Sequence, residues 1–293
     1  MFAGVHTALV TPFRRNKIDQ SAFKRLIEAN LAGGVSGLVP CGTTGESPTL
    51  SHEEHHAVIE LAVKYAKGRS HVIAGTGSNA TDEAISLTKA AEKAGATASL
   101  QVCPYYNKPS QDGLYQHFKA IAKATKLPII LYSIPGRSGI EISVETTARL
   151  AADCSNIVAI KEAGGSVERV NQLAAACPPG FEILSGDDSL TLPFMSVGAV
   201  GVISVASNLI PGPMSELVAH ALAGTYAEAL AVHRKYYPLF SAFLKLDTNP
   251  VPIKTALALA GHCLPDLRLP MAAMEESKQK ILAEILHSLD LTA

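Results

Sequence analysis

Short apolar, β-branched runs alternate along this chain with longer stretches of helical periodicity. The runs at residues 5–10, 37–39, 72–74, 98–102, 129–132, 157–161, 181–184 and 200–204 have the length of strands and mostly lack polar alternation. That pattern is expected of strands covered on both faces, as in a parallel sheet. The stretches between them carry helix start and stop signals. Ser51-His52-Glu53-Glu54 reads as a capping box, Ser143 ahead of Val144-Glu145 as an N-cap, and Gly33-Gly34, Gly68 and Gly95 as C-terminal stops. Eight strand-helix units, repeating at roughly 20–35 residues, predict an α/β fold of the (β/α)8 TIM barrel type over residues 1–224. A doubly wound sheet is the weaker alternative, because the spacing never breaks to reverse direction.

After about Gly224 only helical patterns remain, at 226–246, 252–260 and 274–289. They predict a C-terminal helical extension, 225–293, packed on the barrel, since no charge run or low-complexity segment separates it. Residues 189–215 carry one uncharged stretch that a hydropathy scan could mistake for a membrane span. Pro193, Gly198, Gly201, Pro211, Gly212 and Pro213 break it, so it reads as helix, turn, strand and loop. The first residues, Met1 to His6, lack the charged and apolar regions of a signal peptide.

Composition narrows the classes. The 293 residues, 47% hydrophobic and 17% charged, suffice for a large core. A formal net charge of -1 offers no electrostatic footprint for nucleic acid or an acidic membrane. The cysteines (Cys41, Cys103, Cys154, Cys177, Cys263) are odd in number and lack C-x-x-C spacing, which suggests neither a disulfide framework nor a zinc ribbon. A reduced cytoplasm is the expected location.

In such a barrel, chemistry sits where the strands end. The run Asn156-Ile157-Val158-Ala159-Ile160-Lys161-Glu162-Ala163-Gly164-Gly165 is a buried strand that ends on a lysine, with Ile157, Ala159 and Lys161 expected on one face. Removing water from an ammonium disfavours its charged form and favours the nucleophilic amine. The alternative is that Lys161 leaves the sheet for solvent or pairs with Glu162. Other strand ends bring Cys41 through Glu46, Gly75 through Ser78, Pro104 through Asn107, Tyr132 through Arg137, Ser185 through Asp188, and Ser204 toward the same mouth.

Two motif matches point to other chemistry. Gly75-Thr76-Gly77-Ser78-Asn79-Ala80 fits the strand-to-helix glycine fingerprint of dinucleotide sites, but no acidic residue lies between Ala94 and Lys108, where a ribose partner belongs. A tight turn is the plainer reading. His52-Glu53-Glu54-His55-His56 fits H-E-x-x-H, yet it opens a helix behind the Ser51 cap, where such side chains face solvent, and no third zinc ligand is marked. No metal site is expected.

Taken together, Gly42-Thr43-Thr44-Gly45-Glu46-Ser47, Pro104-Tyr105-Tyr106-Asn107, Leu131-Tyr132, Arg137, Ile160-Lys161-Glu162-Ala163, Ser185-Gly186-Asp187-Asp188 and Asn249-Pro250-Val251-Pro252-Ile253-Lys254 resemble the dihydrodipicolinate synthase family of pyruvate-dependent Schiff-base lyases. The resemblance spans nearly the whole chain. It implies condensation of pyruvate, held as a Schiff base on Lys161, with L-aspartate 4-semialdehyde, as in lysine and diaminopimelate biosynthesis, with no metal or organic cofactor. Tyr132 would carry protons, relayed through Thr43 and through Tyr106 lent by a neighbouring subunit. Thr44 and the amides of its turn, at a helix N-terminus, would hold the pyruvate carboxylate. Gly186 and Ile203 would complete that pocket. Arg137 would hold the semialdehyde carboxylate through its planar fork.

The resemblance further implies a homotetramer, a dimer of dimers. It also implies an allosteric L-lysine pocket of Ser47, His52, His55, Asn79, Glu83 and Tyr105, with Pro48 where some lysine-sensitive relatives have alanine. Ser133 after the tyrosine and Gly136 before the arginine depart from the family pattern and bear on the second substrate. Related aldolases acting on sialic acid or keto-sugar acids are the alternative within this chemistry. By resemblance, those relatives usually show Gly-Ser-Thr-Gly-Glu where this chain has Gly42-Thr43-Thr44-Gly45-Glu46, and an apolar residue where it has Arg137. A non-catalytic, ligand-sensing barrel is the alternative outside it, and would be expected to have lost Lys161, Tyr132 or Thr43.

Overall fold

The computed structural model describes residues 1–292. Eight parallel strands close into a barrel: β1 Gly4–Ala8, β2 Gly37–Val39, β3 His71–Gly75, β4 Ala98–Val102, β5 Ile129–Ser133, β6 Ile157–Glu162, β7 Glu182–Ser185 and β8 Gly201–Ser204. Each pairs with the next in sequence, and β8 pairs with β1 to close the ring. Eight helices follow the strands in turn: α1 Gln20–Ala32, α2 His52–Ala66, α3 Thr81–Ala94, α4 Gln111–Ala124, α5 Val144–Asp153, α6 Val167–Ala176, α7 Thr191–Met195 and α8 Pro211–Leu222. The local signals act as expected. Ser51 and Glu54 form the reciprocal capping box of α2, Ser143 accepts from the Thr146 amide, and Gly95 ends α3 in the left-handed conformation.

Two cores result. Ala8, Val39, Ile73, Ala98, Leu100, Ile130, Tyr132, Ala159, Leu184 and Ile203 fill the barrel interior, above Phe2. A larger layer between the strands and the helices includes Leu38, Ile59, Phe118, Leu131, Ile160 and Leu217. β6 corrects one expectation. Its register with β5 runs from Ile129↔Ile157 to Ile130↔Ala159, so Val158 is an extra residue. Because side chains alternate with period two, that bulge turns Ile157 to the outer layer while Ala159 faces inward. β1 also stops two residues early. The Asn208 side chain bonds the Ala8 carbonyl at 2.7 Å and the Val10 amide at 3.1 Å, in place of a strand neighbour.

The glycine fingerprint has a steric cause. A Cβ on Gly75 would lie 2.3 Å from the Cys41 carbonyl oxygen, and one on Gly77 would lie 2.4 Å from the Val102 amide nitrogen. The chain after β3 therefore passes between the ends of β2 and β4 with no room for a side chain at either glycine.

Beyond Gly224 lie α9 Tyr226–Lys245, α10 Val251–Leu259 and α11 Glu276–Ser288. α9 packs along α8 and delivers Phe240, Phe243 and Leu244 to the barrel mouth. α10 is buried along most of its length. Ala293 lies outside the described residues. No described helix is long and apolar enough to cross a membrane.

Candidate active site

The C-terminal ends of the strands open on two adjoining clefts. The inner one, about 100 Å³, is lined by Lys161, Tyr132, Thr43, Thr44, Gly186 and Asn249 among others. Lys161 is 6% exposed, so it has left neither the sheet nor the barrel for solvent. Its Nζ lies 4.1 Å from the centre of the Tyr132 ring, its direct partner in the β5–β6 register. Nor does it pair with Glu162, which points to the opposite face of β6. There Glu162, fully buried, receives Arg169 Nε at 2.9 Å and the Gly164 amide at 2.7 Å. Burial pushes the Glu162 carboxyl above its ordinary range, and Arg169 opposes that shift. The strand end is therefore pinned on one face while its amine stays free on the other.

Gly186 gives Lys161 its space. A Cβ there would stand 2.6 Å from that of Ala163 and 3.0 Å from Lys161 Cε. Next to it, Asp188 accepts from the Val205 and Ala206 amides at 3.1 and 2.8 Å, tying the β7 end to the β8 end. Burial pushes its carboxyl up to about 6.

The Thr43-Thr44 turn differs from expectation. No helix of any length starts there. The Gly45, Glu46 and Ser47 amides are spent inside the turn on the Gly42 and Thr43 carbonyls, and only a three-residue 3-10 segment, Ser47–Thr49, follows. The Thr43 and Thr44 amides make no hydrogen bond among the described residues. They, with the Thr44 hydroxyl, are the donors left for an anion. Thr44 Oγ1 accepts from Asn249 Nδ2 at 3.0 Å, which leaves its own O–H to donate elsewhere. Arg137 stands exposed at the rim, on the single turn Pro135–Ser138, and donates to the Asn249 carbonyl at 3.1 Å.

Not every expected residue meets at this point. Ile203 is fully buried in the barrel-interior cluster and is not among the residues that line the cleft. Tyr106 is 91% exposed, in the left-handed region at φ 73°, and lines neither cleft.

The outer cleft, about 440 Å³, joins Thr43, Tyr132 and Arg137 to Ser47, His52, His55, Glu83 and Tyr105. Asn79 reaches this group by donating to the Tyr105 carbonyl at 3.1 Å. Here too the structure corrects the sequence reading. His55 does not face solvent; its ring is buried, with Nε2 2.9 Å from the Gly75 carbonyl, and burial lowers its pKa. His52 is exposed and pairs with Glu83 at 2.9 Å instead of aligning with His56 for a metal. Glu83 is also bonded by Ser78, and these two contacts hold its carboxyl below the ordinary range.

Residues that sequence reasoning gave no role are Glu46, Asn249 and Lys254. Lys254 is fully buried and ion-paired with buried Glu46. Its signal was legible: one lysine inside the apolar helix Val-Pro-Ile-Lys-Thr-Ala-Leu-Ala-Leu demands a buried partner.

A lysine amine, a phenol and hydroxyls at the C-terminal mouth of a closed (β/α)8 barrel are the groups required by barrel enzymes that work on carbonyl compounds through an imine. The comparisons agree with that class. The chain matches the Dihydrodipicolinate synthetase family over residues 1–289. It is 53% identical over 292 residues to the 4-hydroxy-tetrahydrodipicolinate synthase of Sulfurihydrogenibium sp. (strain YO3AOP1), with 99% of each chain covered. The solved 4-hydroxy-tetrahydrodipicolinate synthase of Methylacidiphilum fumariolicum SolV superposes with a TM-score of 0.98 at 52% identity, covering 99% of this chain and 96% of that one. DHDPS from Cyanidioschyzon merolae with lysine bound superposes at 0.96 with 41% identity and 99% of each chain covered. The chain belongs to the dihydrodipicolinate synthetase family.

Proposed function

We propose that this chain is a 4-hydroxy-tetrahydrodipicolinate synthase, a carbon-carbon bond-forming lyase that condenses pyruvate with L-aspartate 4-semialdehyde. The observation that carries this reading is the Lys161 amine, without a carboxylate partner among the described residues, beside the Tyr132 ring in a cleft that Thr44 and Arg137 also line. Two substrates that each bear a carboxylate need two separate anion-binding groups, and the mouth holds two. The names of the full-length relatives support the same assignment.

In this reading Lys161 Nζ adds to the pyruvate ketone carbon and water departs, leaving an iminium. The adjacent methyl loses a proton to give an enamine, whose carbon attacks the semialdehyde carbon while the aldehyde oxygen takes up a proton. The amine of the semialdehyde then adds to the iminium carbon and expels the Lys161 amine as the ring closes. Tyr132 exchanges the protons, with Thr43 and the partner subunit's Tyr106 as relay. The Thr44 hydroxyl and the two free turn amides hold the pyruvate carboxylate, and Arg137 holds that of the second substrate. Borohydride added with pyruvate should reduce an imine and leave a mass increment on the Lys161 peptide. Coupled turnover should require aspartate semialdehyde and be absent with sialic acid or keto-sugar acids. An adduct on a different lysine, or turnover only with the sugar acids, refutes the assignment.

The assembly, by the family resemblance, is a homotetramer built as a dimer of dimers, and Tyr106, nearly fully exposed and outside its own chain's clefts, is free to be lent to a neighbour. The outer cleft is an L-lysine site, supported by the likeness to a relative solved with lysine bound. Glu83 is its ammonium partner. With His55 committed to the Gly75 carbonyl, His52 is the histidine left to contact the ligand. L-lysine at millimolar concentration should inhibit partially, and Glu83→Ala should weaken inhibition at least several-fold while leaving uninhibited turnover in place. Inhibition curves that superimpose for the two proteins would remove Glu83 from the site.

A further inference from the structure

The turn that carries Thr43 and Thr44 belongs to the barrel, but it is held from outside the barrel. Glu46, the last residue of that turn, is buried with its backbone in the left-handed region at φ 55°. One carboxylate oxygen pairs with Lys254 of α10, and the other accepts the Arg268 amide at 3.1 Å. Lys254 has no exposed surface. Its ammonium also donates to the Asp266 carbonyl at 2.9 Å and lies 4.2 Å from the centre of the Phe13 ring. Burial pulls the Lys254 ammonium below the ordinary lysine range, and Glu46 acts against that pull.

Five residues before Lys254, Asn249 makes the second attachment. Its amide donates to Thr44 Oγ1 at 3.0 Å, while its carbonyl receives Arg137 at 3.1 Å. One short segment between α9 and α10 thus touches both groups that face the substrates' carboxylates. Arg268 adds a third attachment by bonding the Thr49 carbonyl at 2.8 Å, just past the same turn.

A buried ion pair is a poor way to stabilise a fold, because desolvating two charges offsets most of their attraction, and an apolar pair of similar volume often does as well. What it does supply is direction. The Glu46 carboxylate must meet the Lys254 ammonium in one geometry, which fixes the end of a turn containing two glycines, Gly42 and Gly45. We propose that Lys254 and Asn249 are positioning residues for the keto-acid half of the reaction: the C-terminal extension sets the Thr43-Thr44 turn through the Glu46–Lys254 pair and the Asn249–Thr44 hydrogen bond. This inference rests on the reading of Thr44 as the pyruvate carboxylate's partner.

The test separates positioning from folding. Lys254→Met or Glu46→Gln alone leaves a buried charge without its partner, so each should destabilise the protein as well as disturb the turn. The double variant Glu46→Gln/Lys254→Met removes both charges and should recover thermal stability. Asn249→Ala reaches the same turn without touching the pair. Borohydride trapping of pyruvate on Lys161, titrated against pyruvate concentration, reads the first half-reaction directly. The half-saturating pyruvate concentration should rise about tenfold in the double variant and in Asn249→Ala, the loss of about one charge-assisted hydrogen bond's worth of anchoring. The half-saturating semialdehyde concentration should change less than that of pyruvate in both variants, because Arg137 bonds the main-chain carbonyl of residue 249, which Asn249→Ala keeps. If the double variant titrates pyruvate as the unaltered chain does, or if all variants merely lose active protein at unchanged half-saturation, the extension only caps the barrel and the inference fails. If the unaltered chain forms no pyruvate adduct on Lys161, the functional reading fails first and takes the inference with it.

Discussion

Replacing Lys161 by alanine should lower turnover by about 10⁴-fold or more, because the nucleophile and the electron sink it creates vanish together. The folded protein should survive. Lys161 makes no ion pair with a described carboxylate, and losing it leaves a small gap at the cleft instead of an unpaired charge. Tyr106→Phe should lose activity for a different reason. Its hydroxyl is exposed on its own chain and acts, in our proposal, only in a neighbour's site. The two inactive proteins should therefore complement each other. In a mixed oligomer, a Tyr106→Phe chain keeps its own Lys161 and borrows a hydroxyl from the Lys161→Ala chain. Recovery of a measurable fraction of turnover after subunit exchange, seen by steady-state kinetics, is the expected result. Exchange without recovery would show that Tyr106 works within its own chain or not at all.

The barrel was legible in the sequence because its two periodicities differ so clearly. All eight strands lie where continuous apolar runs stand, and the glycines and serines mark the helix ends. The details that escaped are those that sequence period cannot carry. The extra residue at Val158 is invisible in an apolar run, since nothing distinguishes a bulged valine from a paired one, yet it decides which face Ile157 takes. The resemblance puts the Thr43-Thr44 turn at a helix N-terminus, but the backbone, left-handed at Cys41 and Glu46, closes on itself and spends three amides internally. His55 was read as a solvent-facing residue of a first turn. One helical position separates it from His56 and three from His52, and only the packing of α2 on β3 determines which ring turns in to meet the Gly75 carbonyl. The resemblance places Ile203 at the site, whereas the structure buries it in the barrel interior, outside the residues that line the cleft. The clearest omission concerns partners distant in sequence: Glu46 with Lys254, Thr44 with Asn249, and Glu162 with Arg169. Lys254 alone announces that it needs a buried partner, and even there the sequence does not say which residue supplies it.

The last of those pairs leads to the largest expected effect on stability. Arg169→Met removes the one cation paired with Glu162 among the described residues, where Glu162 has no exposed surface and its remaining described donor is the Gly164 amide. An unpartnered charge at that depth should cost about 3–5 kcal/mol of stability. For a chain of this length that is a fall in Tm of roughly 5–10 °C. The loss should also depend on pH, with a definite sign. Burial already raises the Glu162 carboxyl above its ordinary value of 4.5, and Arg169 opposes this, so removing Arg169 raises it further. The folded variant then holds a proton that the unfolded chain releases, and its stability falls as pH rises from the ordinary carboxylate value through the raised one. The deficit relative to the unaltered chain should thus be largest at pH 8 and shrink as the pH is lowered, vanishing only below 4.5, where the carboxyl becomes neutral in both states. Glu162→Gln/Arg169→Met, carrying no buried charge, should recover most of the stability and show no such slope. Thermal unfolding of the three proteins across this range, with borohydride trapping to follow Lys161, separates the two faces of β6. A destabilisation independent of pH would mean that Arg169 contributes packing rather than charge. Trapping that stays normal in a folded but weakened Arg169→Met protein would mean that the amine keeps its place without the anchor behind it.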